Sequence, residues 1–179
     1  VLCGGRAGSA EHAWPRWLMK LTNPDNERVQ VQIASGDIIP YGSSVAVTKR
    51  VCHHCNTVWM NKTFESRVSY LLRRMDHGEP MTLFKKQRRD LASWAYKTML
   101  MLECTRPGGP RITPEEFRRF RRSAEPLPGC SIVLGVTDFP VLAFHRHLVP
   151  GPRRVDDGAP LQASGALLVA GHLFLHTLG

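Results

Sequence analysis

The chain is 179 residues long and 42% hydrophobic, enough for one domain with a real core, or one domain plus a small appendage. Its 24 Lys and Arg against 15 Asp and Glu leave a net charge of +9, which favours polyanionic partners, nucleic acid first among them. An odd count of five cysteines argues against a secreted disulfide framework. No stretch approaches the roughly 18 apolar residues of a membrane span and no signal peptide is visible, so a cytoplasmic protein is expected.

The opening Leu2-Cys3-Gly4-Gly5 is a turn of the kind that begins a zinc knuckle, and Ala10-Glu11-His12-Ala13-Trp14-Pro15 reads as a strand that exits at Pro15. Behind Pro15, the residues Trp14, Trp17, Leu18 and Leu21 recur at helical spacing and predict a short packing helix. Val29 to Ile33 alternates apolar and polar residues, which predicts a half-exposed strand; Ile38 and Ile39 stop at Pro40, and Val45 to Thr48 predicts another strand.

That strand leads into Val51-Cys52-His53-His54-Cys55-Asn56, where Cys52 and Cys55 form a C-x2-C pair. This is the spacing at which two thiolates on a tight turn reach one tetrahedral zinc ion, and Cys3 is the obvious third ligand. A second C-x2-C pair would put the partner of Cys3 just ahead of Val1, so the chain is expected to be a fragment that lacks its fourth ligand, with His53 or His54 as a possible substitute.

Next, Val58, Trp59, Met60, Phe64, Val68, Leu71, Leu72 and Met75 predict a helix from the zinc turn to about Met75, broken near Asn61 and ending before Gly78. A second helix is predicted from Lys86 or Asp90 to Cys104, with Leu91, Trp94, Ala95, Met99 and Leu102 on one face. Thr113-Pro114-Glu115-Glu116 is a capping box, starting a helix over Glu115 to Arg122 with Phe117 and Phe120 inward and four arginines outward. Arg73, Arg74, Arg118, Arg119, Arg121 and Arg122 are candidate nucleic-acid contacts, since a guanidinium grips phosphate in a bidentate way. Cys104 and Cys130 read as small buried residues. Three C-terminal strands are predicted, Ser131 to Val136, Val141 to His147 and Ala166 to Leu175, with a flexible connection from Pro150 to Ala163.

Taken together, Cys-Gly-Gly at 3–5, Glu-His-x-x-Pro at 11–15 and Cys-x2-Cys-Asn at 52–56 leading into a helix resemble the HNH endonuclease family, the zinc-containing branch of the ββα-metal nucleases. The resemblance covers about the first third of the chain. It implies an N-terminal zinc-braced, treble-clef-like ββα motif, placed over 1–76 with inserted strands; with the helical and antiparallel β region that the residue patterns predict over 77–179, the expected fold class is α+β. It further implies a structural Zn²⁺ on Cys3, Cys52 and Cys55, a catalytic Mg²⁺ or Mn²⁺ on Glu11 and Asn56, His12 as general base, and DNA as substrate, with RNA as the other option. The chain departs from the pattern in offering Ser43, Ser44 and Thr48 where the family carries an Asn, and Trp59 followed by Lys62 where it carries a basic residue.

The chemistry supplies its own reason. Phosphodiester hydrolysis needs a water deprotonated near neutral pH, for which an imidazole with an ordinary pKa of about 6.5 is well matched. It also needs charge stabilisation on the scissile phosphate, which a divalent cation on oxygen ligands supplies. The competing expectations are a non-catalytic zinc-stabilised nucleic-acid-binding module and a protein-interaction domain whose zinc only supports the fold.

Overall fold

A computed structural model describes residues 2–13, 15–22, 29–32, 38–41, 47–105, 109–153 and 160–178, with side chains over 2–13, 15–18, 20, 47–105 and 109–135. It mixes helices with three two-stranded antiparallel sheets. Strand β1 (Ser9–His12) pairs with β4 (Val47–Val51), β2 (Val29–Gln32) with β3 (Ile38–Tyr41), and β5 (Ser131–Arg153) with β6 (Pro160–Leu178). Among the described residues no helix is long and apolar enough to cross a membrane.

The β1–β4 pair matters most for the site. Its register runs Ser9↔Val51, Glu11↔Thr48 and His12↔Val47, with a bulge between Ser9 and Glu11 that re-aims the end of β1. Pro15 ends the extended run and α1 (Arg16–Thr22) starts behind it, with Leu18 buried. Ser43 and Ser44 lie outside the described residues, whereas Thr48 is buried and its Oγ1 donates to the Cys104 carbonyl at 3.3 Å.

Beyond Cys52 the chain enters a helix that, after an α-type start at His53 and His54, widens into a π-helix. Cys55–Glu65 is an eleven-residue π-helix, followed without interruption by α2 (Ser66–Asp76). The junction is marked by the Ser66 N–H, which reaches back to the Asn61 carbonyl. The expected break near Asn61 is therefore a change of pitch at 65/66. Buried residues in the π segment are Cys55, Met60 and Phe64, spaced five and four apart, and in α2 they are Val68, Leu71, Leu72 and Met75, at the tighter α spacing.

Helix α3 (Lys85–Cys104) is buried on every side from Ser93 to Cys104, so the single apolar face expected of it is an understatement. Helix α4 (Pro114–Ser123) begins as its capping box predicts: Thr113 Oγ1 accepts from Glu116 N–H at 3.3 Å, and Glu116 Oε2 accepts from Thr113 N–H at 2.7 Å. One core runs through Leu2, Val51, Phe64, Leu72, Trp94, Met101 and Phe120, joining the N-terminal strands to α3 and α4. Phe64 stacks on Phe120 at 5.4 Å, with the Trp59 ring edge-on to Phe64 at 5.0 Å.

The C-terminal strands correct the sequence reading. The first two predicted strands are one, β5, with its pairing interrupted between Val136 and Val141. Pro140 has no N–H to give to a ladder, so the register slips there and resumes at Val141↔Gly171. The expected connection over 150–163 is shorter, because β5 continues to Arg153 and β6 begins at Pro160. Likewise β3 does not stop at Pro40 but pairs it with Gln30, as either strand of a two-stranded sheet has an open edge that tolerates proline.

Candidate active site and metal centre

Two clusters adjoin the π-helix, one at its start and one along it from Asn56 to Glu65. At its start, Cys3, Cys52 and Cys55 bring their three Sγ atoms within 4.8 Å of one another, and Cys3 Sγ lies 3.4 Å from Cys52 Sγ. The backbone wraps these sulfurs: Gly5 N–H donates to Cys3 Sγ and Cys55 N–H to Cys52 Sγ, each at 3.4 Å. A Cβ on Gly5 would come within 3.3 Å of Cys3 Sγ and 3.4 Å of Cys52 Sγ, so glycine is what lets the turn close over the thiols.

Burial, with Cys3 and Cys52 also contributing, pushes the Cys55 thiol up to about 12, while Arg121 acts in the other direction. The Gly5 amide, followed by the other two thiols, pulls Cys3 below the usual thiol value. A tetrahedral zinc with Zn–S bonds of about 2.3 Å needs sulfurs about 3.8 Å apart, so three soft donors at this spacing fit that ion. Among the described residues no histidine joins the group. His53 and His54 are exposed, and His53 Nδ1 lies 3.4 Å from Thr57 Oγ1. Cys104 and Cys130 stand apart from the group, pushed by burial up to about 12 and about 11.

The second cluster lines a cleft of about 370 Å³ bounded by Glu11, His12, Arg16, Asn56, Asn61 and Glu65 among others. Glu11 and His12 come from the end of β1, and Asn56 from the first turn of the helix 44 positions later. The Asn56 side-chain amide donates to Ser9 Oγ at 2.8 Å and to the Ala10 carbonyl at 3.1 Å, which clamps the helix start to the bulge in β1. With both of its amide hydrogens committed, Oδ1 is the atom this side chain has left to offer an ion. Burial lowers the His12 pKa below the ordinary histidine value and Arg16 lowers it further, so its ring is neutral near pH 7 and able to accept a proton.

Glu11 is 8% exposed. Its Oε1 lies 3.8 Å from Lys97 Nζ, and burial pushes its carboxyl up to about 7, against the pull of Lys97 and with the further push of Glu65. Glu65 is held harder: Oε1 meets Lys97 Nζ at 2.6 Å, while Oε2 accepts the indole N–H groups of Trp17 at 3.1 Å and Trp94 at 3.2 Å.

Glu65, Lys97 and Arg16 were not singled out from sequence, and the reason is geometric for Glu65. Nine positions separate it from Asn56. At about 100° per residue an α-helix would turn the two to opposite sides, whereas about 4.4 residues per turn in a π-helix returns them to one side. The wide spacing of Cys55, Met60 and Phe64 was the available signal. For Lys97 it was a single cation inside the otherwise uncharged run from Leu91 to Leu102.

The arginines divide. Arg118 and Arg122 both bind Glu115, at 2.9 and 3.1 Å. Arg74 pairs with Glu79, Arg73 lies over the Trp17 ring at 5.6 Å, and Arg119 is exposed. Arg121 corrects the expectation that all four of the α4 arginines face outward: its guanidinium lies 4.4 Å over the Trp59 ring and its charge bears on Cys55 and Cys3. The wide turn at the start of the π-helix offers Trp59 as a flat platform, and the thiols give the cation a reason to turn in. Compared with family models, curated proteins and solved structures, the chain matches none.

Proposed function

We propose that the chain is a metal-dependent endonuclease of the HNH type, built on a zinc-braced ββα unit, that hydrolyses phosphodiester bonds of DNA. The observation that carries this reading is that an imidazole, a carboxylate and an amide from β1 and the helix start line one cleft, the amide on the residue that follows Cys55 of the three-thiol cluster. His12 takes the proton from the attacking water, a role suited to a ring kept neutral by burial and by Arg16. Arg16, exposed on the cleft wall, meets a phosphate oxygen, and the +9 net charge draws the polyanion in. Glu11 and the Asn56 Oδ1 are hard oxygen donors of the kind that hold Mg²⁺ or Mn²⁺, and the ion would stabilise charge on the scissile phosphate. Cys3, Cys52 and Cys55 hold Zn²⁺ and keep the helix start against β1.

The test is nicking of supercoiled plasmid by zinc-loaded protein with Mg²⁺ or Mn²⁺ added. His12→Ala is expected to lower the rate about 10²- to 10⁴-fold with zinc content unchanged. For the wild type at saturating Mg²⁺ or Mn²⁺, which keeps Glu11 ionised, activity is lost on the acid side only as pH falls through a value below the ordinary 6.5 or so, because the shift keeps the base free to lower pH. Equal nicking by both proteins, or none by either, defeats the reading; a salt-sensitive gel shift without cleavage would favour the non-catalytic binding module.

A further inference from the structure

Two carboxylates that line the cleft share a buried cation that the proposed reaction does not use. Lys97 rises from the middle of α3 with a side chain that is 0% exposed, and its ammonium sits between two carboxylates, 2.6 Å from Glu65 and 3.8 Å from Glu11. Neither contact is aligned as a hydrogen bond. The two acids differ in how they are held. Glu65 is fixed by Lys97 on one oxygen and by two indoles on the other, whereas Glu11 faces the ammonium at the longer distance and borders the open cleft. Glu65 is thus the permanent partner of Lys97, and Glu11 is the shared one.

Two carboxylates and one ammonium leave one negative charge uncompensated when all are ionised. Charges buried away from water are tolerated only when paired, so the group retains a demand for positive charge that Lys97 meets in part. A cation entering through the cleft to reach Glu11 encounters an ammonium within a few ångströms in a medium where like charges repel strongly. We infer that Lys97 is a resident counter-ion that competes with the divalent cation for Glu11 and so sets how much Mg²⁺ or Mn²⁺ the free protein needs before its cleft fills. The inference rests on Glu11 being the cation ligand proposed above. It gives the site a bias toward the ternary state, because a divalent ion added to two carboxylates and one ammonium leaves one excess positive charge, which a bound phosphodiester offsets.

The experiment measures Mn²⁺ binding by electron paramagnetic resonance on the zinc-loaded full chain, without nucleic acid. Lys97→Met keeps the length of the side chain and removes its charge, and is expected to tighten Mn²⁺ binding by at least about tenfold. Should this variant unfold in divalent-free buffer, adding Mn²⁺ should restore its circular dichroism spectrum. The double variant Glu65→Gln/Lys97→Met removes one charge of each sign, and it should also bind Mn²⁺ more tightly than the wild type. Unchanged or weaker Mn²⁺ binding in these variants, or an unfolded Lys97→Met that Mn²⁺ does not refold, overturns the inference. Tighter Mn²⁺ binding with no plasmid nicking by the wild type would uphold it while removing the nuclease reading, so the two fail separately.

Discussion

The two clusters beside the π-helix solve opposite electrostatic problems. At the start, three thiols crowd together with no cation among them, only Arg121 leaning in from the side. Further along, the carboxylates of Glu11 and Glu65 enclose their own ammonium. The first cluster is a group of soft donors able to hold a metal ion, and burial with the neighbouring thiols pushes Cys55 up to about 12. The second is nearly complete by itself. The lesson is that two clusters beside one helix differ in whether the chain supplies a counter-charge, and under the proposed reading that separates a metal that is part of the fold from one that exchanges.

The strongest way to break this comparison is to remove a thiol. Cys52→Ser should lose its zinc and its cooperative thermal transition, because binding of a structural zinc contributes on the order of 10 kcal/mol, as much as the whole stability of a small domain. Cys130→Ser, outside the cluster, should keep one zinc per chain and its fold. A Cys52→Ser protein that melts like the wild type would mean that the thiols do not hold a structural ion. A smaller effect is expected one step outwards. Arg121→Gln removes the charge that faces Cys55 and Cys3 and should weaken zinc binding by about 10- to 100-fold in competition with a chromophoric chelator, with the fold intact at saturating zinc. Zinc affinity equal to the wild type would return Arg121 to the ordinary surface arginines.

How far the sequence carried depended on which ruler applied. The C-x2-C pair was legible because it is a local spacing, and Cys3, though 49 positions from Cys52, announced itself by its own glycine turn. The capping box of α4 was legible for the same reason. Convergence of Glu11, His12 and Asn56 on one cleft follows from the pairing of β1 with β4, Ser9↔Val51 to His12↔Val47, which alternation alone did not specify. Glu65 was hidden because an α-helical count puts it on the wrong side of the helix, and only the π pitch brings it round. Lys97 was hidden because a basic residue in a helix is ordinarily solvated, and nothing local announced that two acids from elsewhere would enclose it.

The most direct measurement is anomalous diffraction from crystals of zinc-loaded protein soaked in Mn²⁺, recorded at both metal edges. The account predicts a zinc peak among Cys3, Cys52 and Cys55 and a separate manganese peak in the cleft beside Glu11 and the Asn56 Oδ1. Manganese absent from the cleft, or zinc found there with the thiols empty, would contradict it.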